Sequence, residues 1–389
     1  MPGFRGRNIV LAVIAAFTGS FAFRLSVPVV AYYSRFVLEV SATAIGALMA
    51  VYFIGRAPMA ALAGHLYSGK RSILASTLCF VVVAAITPLY AFSKSLVGIL
   101  AIRVLQGALL GYAWTIVQIV VGASTPLNVR ATVYAIYFVA GSTAFPAANA
   151  VYTLLASQPP LVPLLVSSIF FIVSGLTVGF MGYVGVKGSR RVKGEDGLAL
   201  LMIILLLFIL VLRLGTAFTM SDIVYIYLCE VYGLDRGGAV LLLALASAIG
   251  IAVSIPLNVI ADRVSERLAV LTIGLLASIG LILFSTNNVI FSSLGLALLL
   301  MGARSVTPLS RRIALTYASS EGVGYVGAVG NVGVLLSSLT VGIAYDMLEV
   351  KGLNVTSLFN PIIMLTAPLT ILALALTAIL TFKLKHGQS

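Results

Sequence analysis

The sequence predicts an all-α polytopic membrane protein of twelve transmembrane helices, arranged as two pseudo-symmetric six-helix bundles. Three observations carry this. Of 389 residues, 61% are hydrophobic and only 9% are charged, where a soluble domain has about 25% charged residues. Apolar stretches of about 20 residues, enough to cross a bilayer, recur along the whole chain. One long polar stretch, KGSRRVKGEDG at 187–197, leaves six such stretches on either side. The expected organisation is one bundle over 1–186, a cytoplasmic linker over 187–197 and a second bundle over 198–389.

Span one, 8–33, follows Arg5 and Arg7. Its length, the lack of an A-x-A cleavage site and the interruption by Arg24 argue against a signal peptide. Span two, 43–64, ends in a tight basic turn, GHLYSGKR at 64–71, that feeds span three, 72–92. Span four, 95–121, contains RVLQG at 103–107. Span five, 131–155, contains the small-residue run AGSTAFPAANA, in which Pro146 is expected to bend the helix. Span six, 161–186, runs into the polar linker, and span seven, 198–228, carries Arg213 and Asp222. Span eight, 237–260, ends in NVIADRVSER, the counterpart of the first basic turn, and span nine, 268–285, follows. Span ten, 289–310, carries LLLMGARSV at 298–306. Span eleven, 321–347, shows Gly324, Gly327, Gly330 and Gly333 at every third position, a smooth face for close packing. Its GVGYVG has the letters of a dinucleotide fingerprint, but no strand precedes it. Span twelve, 357–382, precedes Lys383 and Lys385.

Loop lysines and arginines set the orientation. With both termini cytoplasmic, the inner set is Arg5, Arg7, Lys70, Arg71, Arg130, Lys187, Arg190, Arg191, Lys193, Arg263, Arg267, Arg311, Arg312, Lys383 and Lys385. The outer set is Arg35, Lys94, Arg236 and Lys351. The net charge of +13 is thus a topology signal in a multi-pass plasma-membrane protein, and nucleic acid is not an expected partner. Cys79 and Cys229 read as small apolar residues, and His65 and His386 as solvated loop residues. No metal-ligand or cofactor-binding pattern exists.

The two halves are similar internally. Gln106-Gly107 aligns with Met301-Gly302, and the two basic turns align at the same offset, which fits a duplicated half.

At this point the chain resembles the major facilitator superfamily of transporters. NVIADRVSER is similar to that family's loop motif, with Asp262, Arg263 and Arg267 in place and Asn258 where the family has glycine. RVLQG resembles its span-four motif, and VGIAYD at 341–346 the end of its span eleven. The first-half turn keeps Gly64 and Leu66 but has Ser68 where the motif has an acid. The resemblance implies two bundles around a cavity lined by spans one, four, seven and ten, working by alternating access. It also implies a cytoplasmic gate. In an outward-facing state Asp262 is expected near Arg130 at the start of span five, and Glu321 at the start of span eleven near Lys70 or Arg71, with both pairs apart in an inward-facing state.

Embedded charge indicates the cargo. Arg24, Arg56, Arg103, Arg213 and Arg304 lie inside spans, against one acid, Asp222. Such residues must face protein or water. Arg213 and Asp222 are nine residues apart, about 900° of helical rotation, and point to opposite sides. Guanidinium groups pair bidentately with carboxylate, phosphate or sulfate. Arg24, Arg213, Arg103 and Arg304 are therefore the candidate anion ligands, beside a structural reading in which each fixes helix packing. Asp222 is the candidate proton carrier, beside a reading in which it sits at the outer mouth or pairs permanently with an arginine. The expected function is secondary transport of a small organic or inorganic anion, as antiporter or symporter, by a monomer in contact with lipid. Two other readings are a proton-coupled exporter of hydrophobic compounds and a non-transporting receptor. An enzyme is not expected, because no acids, histidines or nucleophile converge.

Overall fold

Among the described residues, helices form where the apolar stretches predict them, because a backbone crossing lipid must satisfy its own hydrogen bonds. The computed structural model describes residues 5–39, 42–155, 158–184, 195–217, 232–233, 236–286, 288–350 and 365–386. Among these residues there is no strand. The helices are α1 (Gly6–Tyr32), α2 (Ala42–His65), α3 (Lys70–Ile86), α4 (Leu96–Ala123), α5 (Arg130–Leu155) and α6 (Leu161–Gly179), then α7 (Glu195–Ala217), α8 (Arg236–Arg263), α9 (Glu266–Phe284), α10 (Val289–Tyr317), α11 (Ser319–Val350) and α12 (Thr366–His386). Nine of the described helices are long and apolar enough to cross a membrane.

Helix ends follow local chemistry. Ser95 caps α4 by accepting from the Gly98 N–H, Ser265 caps α9 through Leu268, and Asn288 caps α10 through Ile290 and Phe291. α3 passes at Pro88 into a 3₁₀ turn over Thr87–Phe92. Two ends differ from the hydropathy reading. α6 stops at Gly179, seven residues short of the predicted 186, because Asn8 takes over the chain there: the Gly182 N–H donates to Asn8 Oδ1 at 2.7 Å. α10 runs seven residues beyond the predicted 310, to Tyr317. Arg311 and Arg312, expected in a loop, are helical and only 8% exposed.

The chain divides into two compact units. One comprises Met1–Arg190 with Ala314–Asn331, and the other Arg191–Ile313 with Val332–Ser389. In the first, α2 runs along α4, α1 packs on α5 and α6, and α3 packs on α4 and α6. Glycines allow the closest approach. A Cβ on Gly55, Gly107 or Gly111 would strike backbone carbonyls across the α2–α4 seam, the small-residue packing that membrane helices use. Ser167 and Ser174 of α6 donate to the carbonyls of Ala22 and Ala15 on α1. Trp114 is buried, edge-on to Phe80 and next to Tyr137. In the second unit, α9 packs on α12 and α8, and α12 packs on α7. Ser278 and Thr370 share a hydrogen bond across the α9–α12 seam.

Candidate functional site

Arg103 is the most enclosed of the embedded arginines, at 2% exposure. Its Nη1 donates to Gln106 Oε1 at 3.0 Å, one helical turn on. The same oxygen accepts from the Tyr90 hydroxyl at 3.1 Å. The guanidinium lies 5.2 Å from the Tyr90 ring centre and 5.6 Å from that of Phe23, so two aromatic faces stabilise the charge. The RVLQG segment therefore ties α4 to α1 and to the turn after α3, while its Gly107 sits against the Tyr52 backbone of α2.

Arg24 and Arg56 differ from Arg103 in exposure, both being half-buried. Arg24 stands 4.9 Å over the exposed ring of Phe145 on α5. Arg56 donates to the Tyr52 hydroxyl at 3.1 Å and lies over the Tyr52 and Phe53 rings. In the second unit, Arg213 is half-buried, and its Nη2 donates to Thr307 Oγ1 on α10 at 2.6 Å. Gly333 of α11 packs against the Arg213 Cβ. Arg304 is half-buried as well and donates to Ser247 Oγ of α8 at 3.3 Å. Asp222 lies outside the described residues.

The loop-motif acid is engaged deep in the second unit. Asp262 Oδ1 is 3.2 Å from Arg312 Nε, and Glu266 Oε1 is 3.2 Å from Arg312 Nη1. The Asp262 side chain is 1% exposed and that of Arg312 9%, so water screens this cluster little. Arg312 also donates to the Ala261 carbonyl. In the first unit, Arg130 donates to the Thr125 carbonyl and to Thr316 Oγ1. Arg263 is exposed and Arg267 half-buried.

The first-unit turn meets the start of α11. A Cβ on Gly64 would lie 2.7 Å from the Ser320 carbonyl oxygen and 3.1 Å from the Gly324 Cα. Glu321, expected near Lys70 or Arg71, stands 3.7 Å from His65 Nδ1, and His65 Nε2 shares a 2.6 Å hydrogen bond with the Tyr325 hydroxyl. His65 is the last residue of α2 and is paired, and its side chain is 42% exposed, so it is solvated as expected but helical and not in a loop. Nothing local in the sequence signals a partner 260 residues away.

Two further features of this end were not legible as motifs. Asn8, 2% exposed, donates to Ser124 Oγ and the Gly182 carbonyl, and Arg5 and Arg7 donate to the carbonyls of Tyr183 and Phe180. The start of α1 thereby clasps the ends of α4 and α6. In the α2–α3 turn, Gly69 has a φ of +70°, and a Cβ there would collide with the Tyr183 ring. Tyr67 donates to the Val184 carbonyl at 2.7 Å. Burial first, and the neighbouring Tyr183 second, push its pKa up to about 12, so the hydroxyl remains a donor.

Among the described residues no group of histidine, cysteine, aspartate and glutamate is placed to hold a metal. The family description Major Facilitator Superfamily matches residues 9–338. Similar solved structures include the human organic anion transporter MFSD10 (TETRAN), at 15% identity over 98% of this chain and 100% of that one, with a TM-score of 0.70. The transporter FucP in its outward conformation aligns at 13% identity over 96% and 99%, with a TM-score of 0.73. The proton:xylose symporter XylE aligns at 14% identity over 95% and 94%, with a TM-score of 0.67. A search of curated protein sequences finds no match.

Proposed function

The chain belongs to the Major Facilitator Superfamily and is a secondary transporter, not an enzyme; on that premise we propose that it carries a small anion by alternating access. The observation that carries this reading is the sign of the embedded charge: five arginines, Arg24, Arg56, Arg103, Arg213 and Arg304, against Asp222. A cationic cargo would meet repulsion from these side chains, and a neutral one would make no use of their charge. The transporters similar in fold carry cargoes ranging from organic anions to xylose, so the substrate class rests on the residues.

The arginines divide by exposure. Arg24 and Arg213 are half-buried, and we assign them the direct contacts with the anion. Phe145 orients Arg24, and Thr307 orients Arg213. Arg304 serves the same anion nearer the basic end. Arg103, sealed by Gln106, Tyr90 and Phe23, positions α4. The charge bias of the loops supports cytoplasmic termini, and Asp222 is the residue assigned to any proton coupling.

The test is uptake into proteoliposomes from a panel of carboxylates, phosphate esters, sugars and hydrophobic dyes. Anions should be taken up and sugars and dyes should not. Losing a charged hydrogen bond to a bound anion costs about 2 kcal/mol or more, so Arg24→Gln and Arg213→Gln should each reduce uptake more than tenfold while the protein stays folded. Parental uptake in both variants, or uptake of a sugar or dye alone, refutes the reading.

A further inference from the structure

We propose that the cleft between the α2–α3 turn and the end of α6 binds an anionic phospholipid, with the headgroup phosphate between Lys70 and Arg71 and an acyl chain along the α3–α6 seam. Ser68, Lys70, Arg71, Leu74 and Tyr183 line this cleft, which has a volume of about 430 Å³. It does not depend on the substrate reading, because every residue in it belongs to the first unit and none is among the embedded arginines.

The charge comes first. Lys70 and Arg71 are both exposed, and the residue two positions before Lys70 is Ser68, where the related loop of the second half has Asp262. Without that acid the cleft holds two cations, and its lining supplies no carboxylate to neutralise them. The Ser68 and Tyr183 hydroxyls add neutral groups able to donate to phosphate oxygens.

The shape comes second. The cleft is set by backbone and ring packing, because Gly69 at positive φ lies under the Tyr183 ring and Tyr67 is tied to the Val184 carbonyl. Below it, α3 and α6 touch closely where Gly175 and Gly179 face Thr77. Exposed apolar residues flank this seam: Leu74, Leu78 and Val81 on α3, and Ile172 and Leu176 on α6. Their spacings of three and four residues place each set on one helix face, and both faces lead up to the cationic cleft. A free phosphate would use only the top of this surface. A phospholipid uses the cations and the apolar stripe together, and the loop charge bias puts this end in the leaflet face where anionic lipids concentrate.

The experiment uses the purified full chain in detergent, with native mass spectrometry reading bound lipid after addition of phosphatidylglycerol or phosphatidylcholine of identical acyl chains. Each cation near a membrane phosphate contributes about fivefold in binding. The parent should therefore prefer phosphatidylglycerol. Lys70→Gln should reduce that preference about fivefold, and Lys70→Gln with Arg71→Gln about 25-fold. Leu74→Asn should weaken both lipids alike and leave the preference unchanged. An unaltered preference in the double variant overturns the proposal, and so does an equal loss in Arg263→Gln, which would mean diffuse surface charge. Displacement of phosphatidylglycerol by millimolar inorganic phosphate would assign the cleft to a soluble anion and overturn the lipid.

Discussion

Gly107→Ala tests whether the RVLQG segment acts through backbone packing. The new Cβ would run into the Tyr52 carbonyl oxygen, with the carbonyl carbon at 2.9 Å and the Tyr52 Cα at 3.2 Å. All three obstacles are backbone atoms of α2, so no rotamer change relieves them. Restoring van der Waals separation requires α2 and α4 to part by about 1 Å. A gap of that size forfeits about a quarter to a half of the dispersion attraction along the seam, including the contacts of Gly55 with Val104 and of Gly111 with Arg56. Overpacking costs about 1–3 kcal/mol in general, and this seam has no side chain to yield, so about 3 kcal/mol is expected. The aligned position in the second half provides the control. A Cβ on Gly302 meets the Ala277 Cβ at 3.0 Å and the Ile273 carbonyl oxygen at 3.2 Å, which a shift of a few tenths of an ångström absorbs, so about 1 kcal/mol or less is expected. The assay is thermal unfolding in one detergent, read by the fluorescence of Trp114, the single tryptophan, which is buried on α4 itself. With about 2–4 °C per kcal/mol for units of this size, Gly107→Ala should unfold roughly 6–12 °C below the parent and Gly302→Ala within about 4 °C of it. Equal shifts in the two variants, or no shift in Gly107→Ala, would refute the reasoning.

Arg312→Met should destabilise the second unit by about 3 kcal/mol or more, since it leaves the buried Asp262 without its 3.2 Å partner; a parental unfolding temperature would contradict this. At the α2–α11 crossing, Tyr325→Phe removes the bond to His65 and should cost about 1 kcal/mol. Gly64→Ala drives a Cβ toward the Ser320 carbonyl and should cost more, so the reverse order in thermal unfolding would show that the hydrogen bond, not the glycine contact, holds the crossing. Asp222→Asn should abolish uptake driven by a pH gradient and spare substrate exchange; unchanged pH-driven uptake would remove Asp222 from coupling.

The membrane class, the helices and most of their boundaries were legible in the sequence, because hydropathy and helix length are local quantities set by bilayer thickness. The charge pattern also placed the arginines inside spans, and the letters RVLQG, NVIADRVSER and the glycine run marked where helices pack. Gly324 packs closely on Ala60 and Ala61, and Gly333 on Arg213, but these two are nine residues apart and do not share the single helix face expected of the run. The boundaries that differ are those decided by remote partners. α6 ends early because Asn8, more than 170 residues away, captures Gly182. α10 continues through Arg311 and Arg312 because Asp262 and Glu266 stabilise the Arg312 charge inside the protein, where hydropathy alone assigns it to water.

Only the tertiary structure separated the arginines by what surrounds them. Arg103, Arg24 and Arg213 are equal in sequence, each one cation in an apolar helix. Their environments differ because Tyr90, Phe23, Phe145 and Thr307 come from other helices. The periodicity of a helix fixes which residues share its face, but the crossing and register of two helices depend on side-chain volumes along the whole seam. A short glycine contact at one position therefore decides which groups meet several turns away, and that information is spread over the chain and does not reside in any motif.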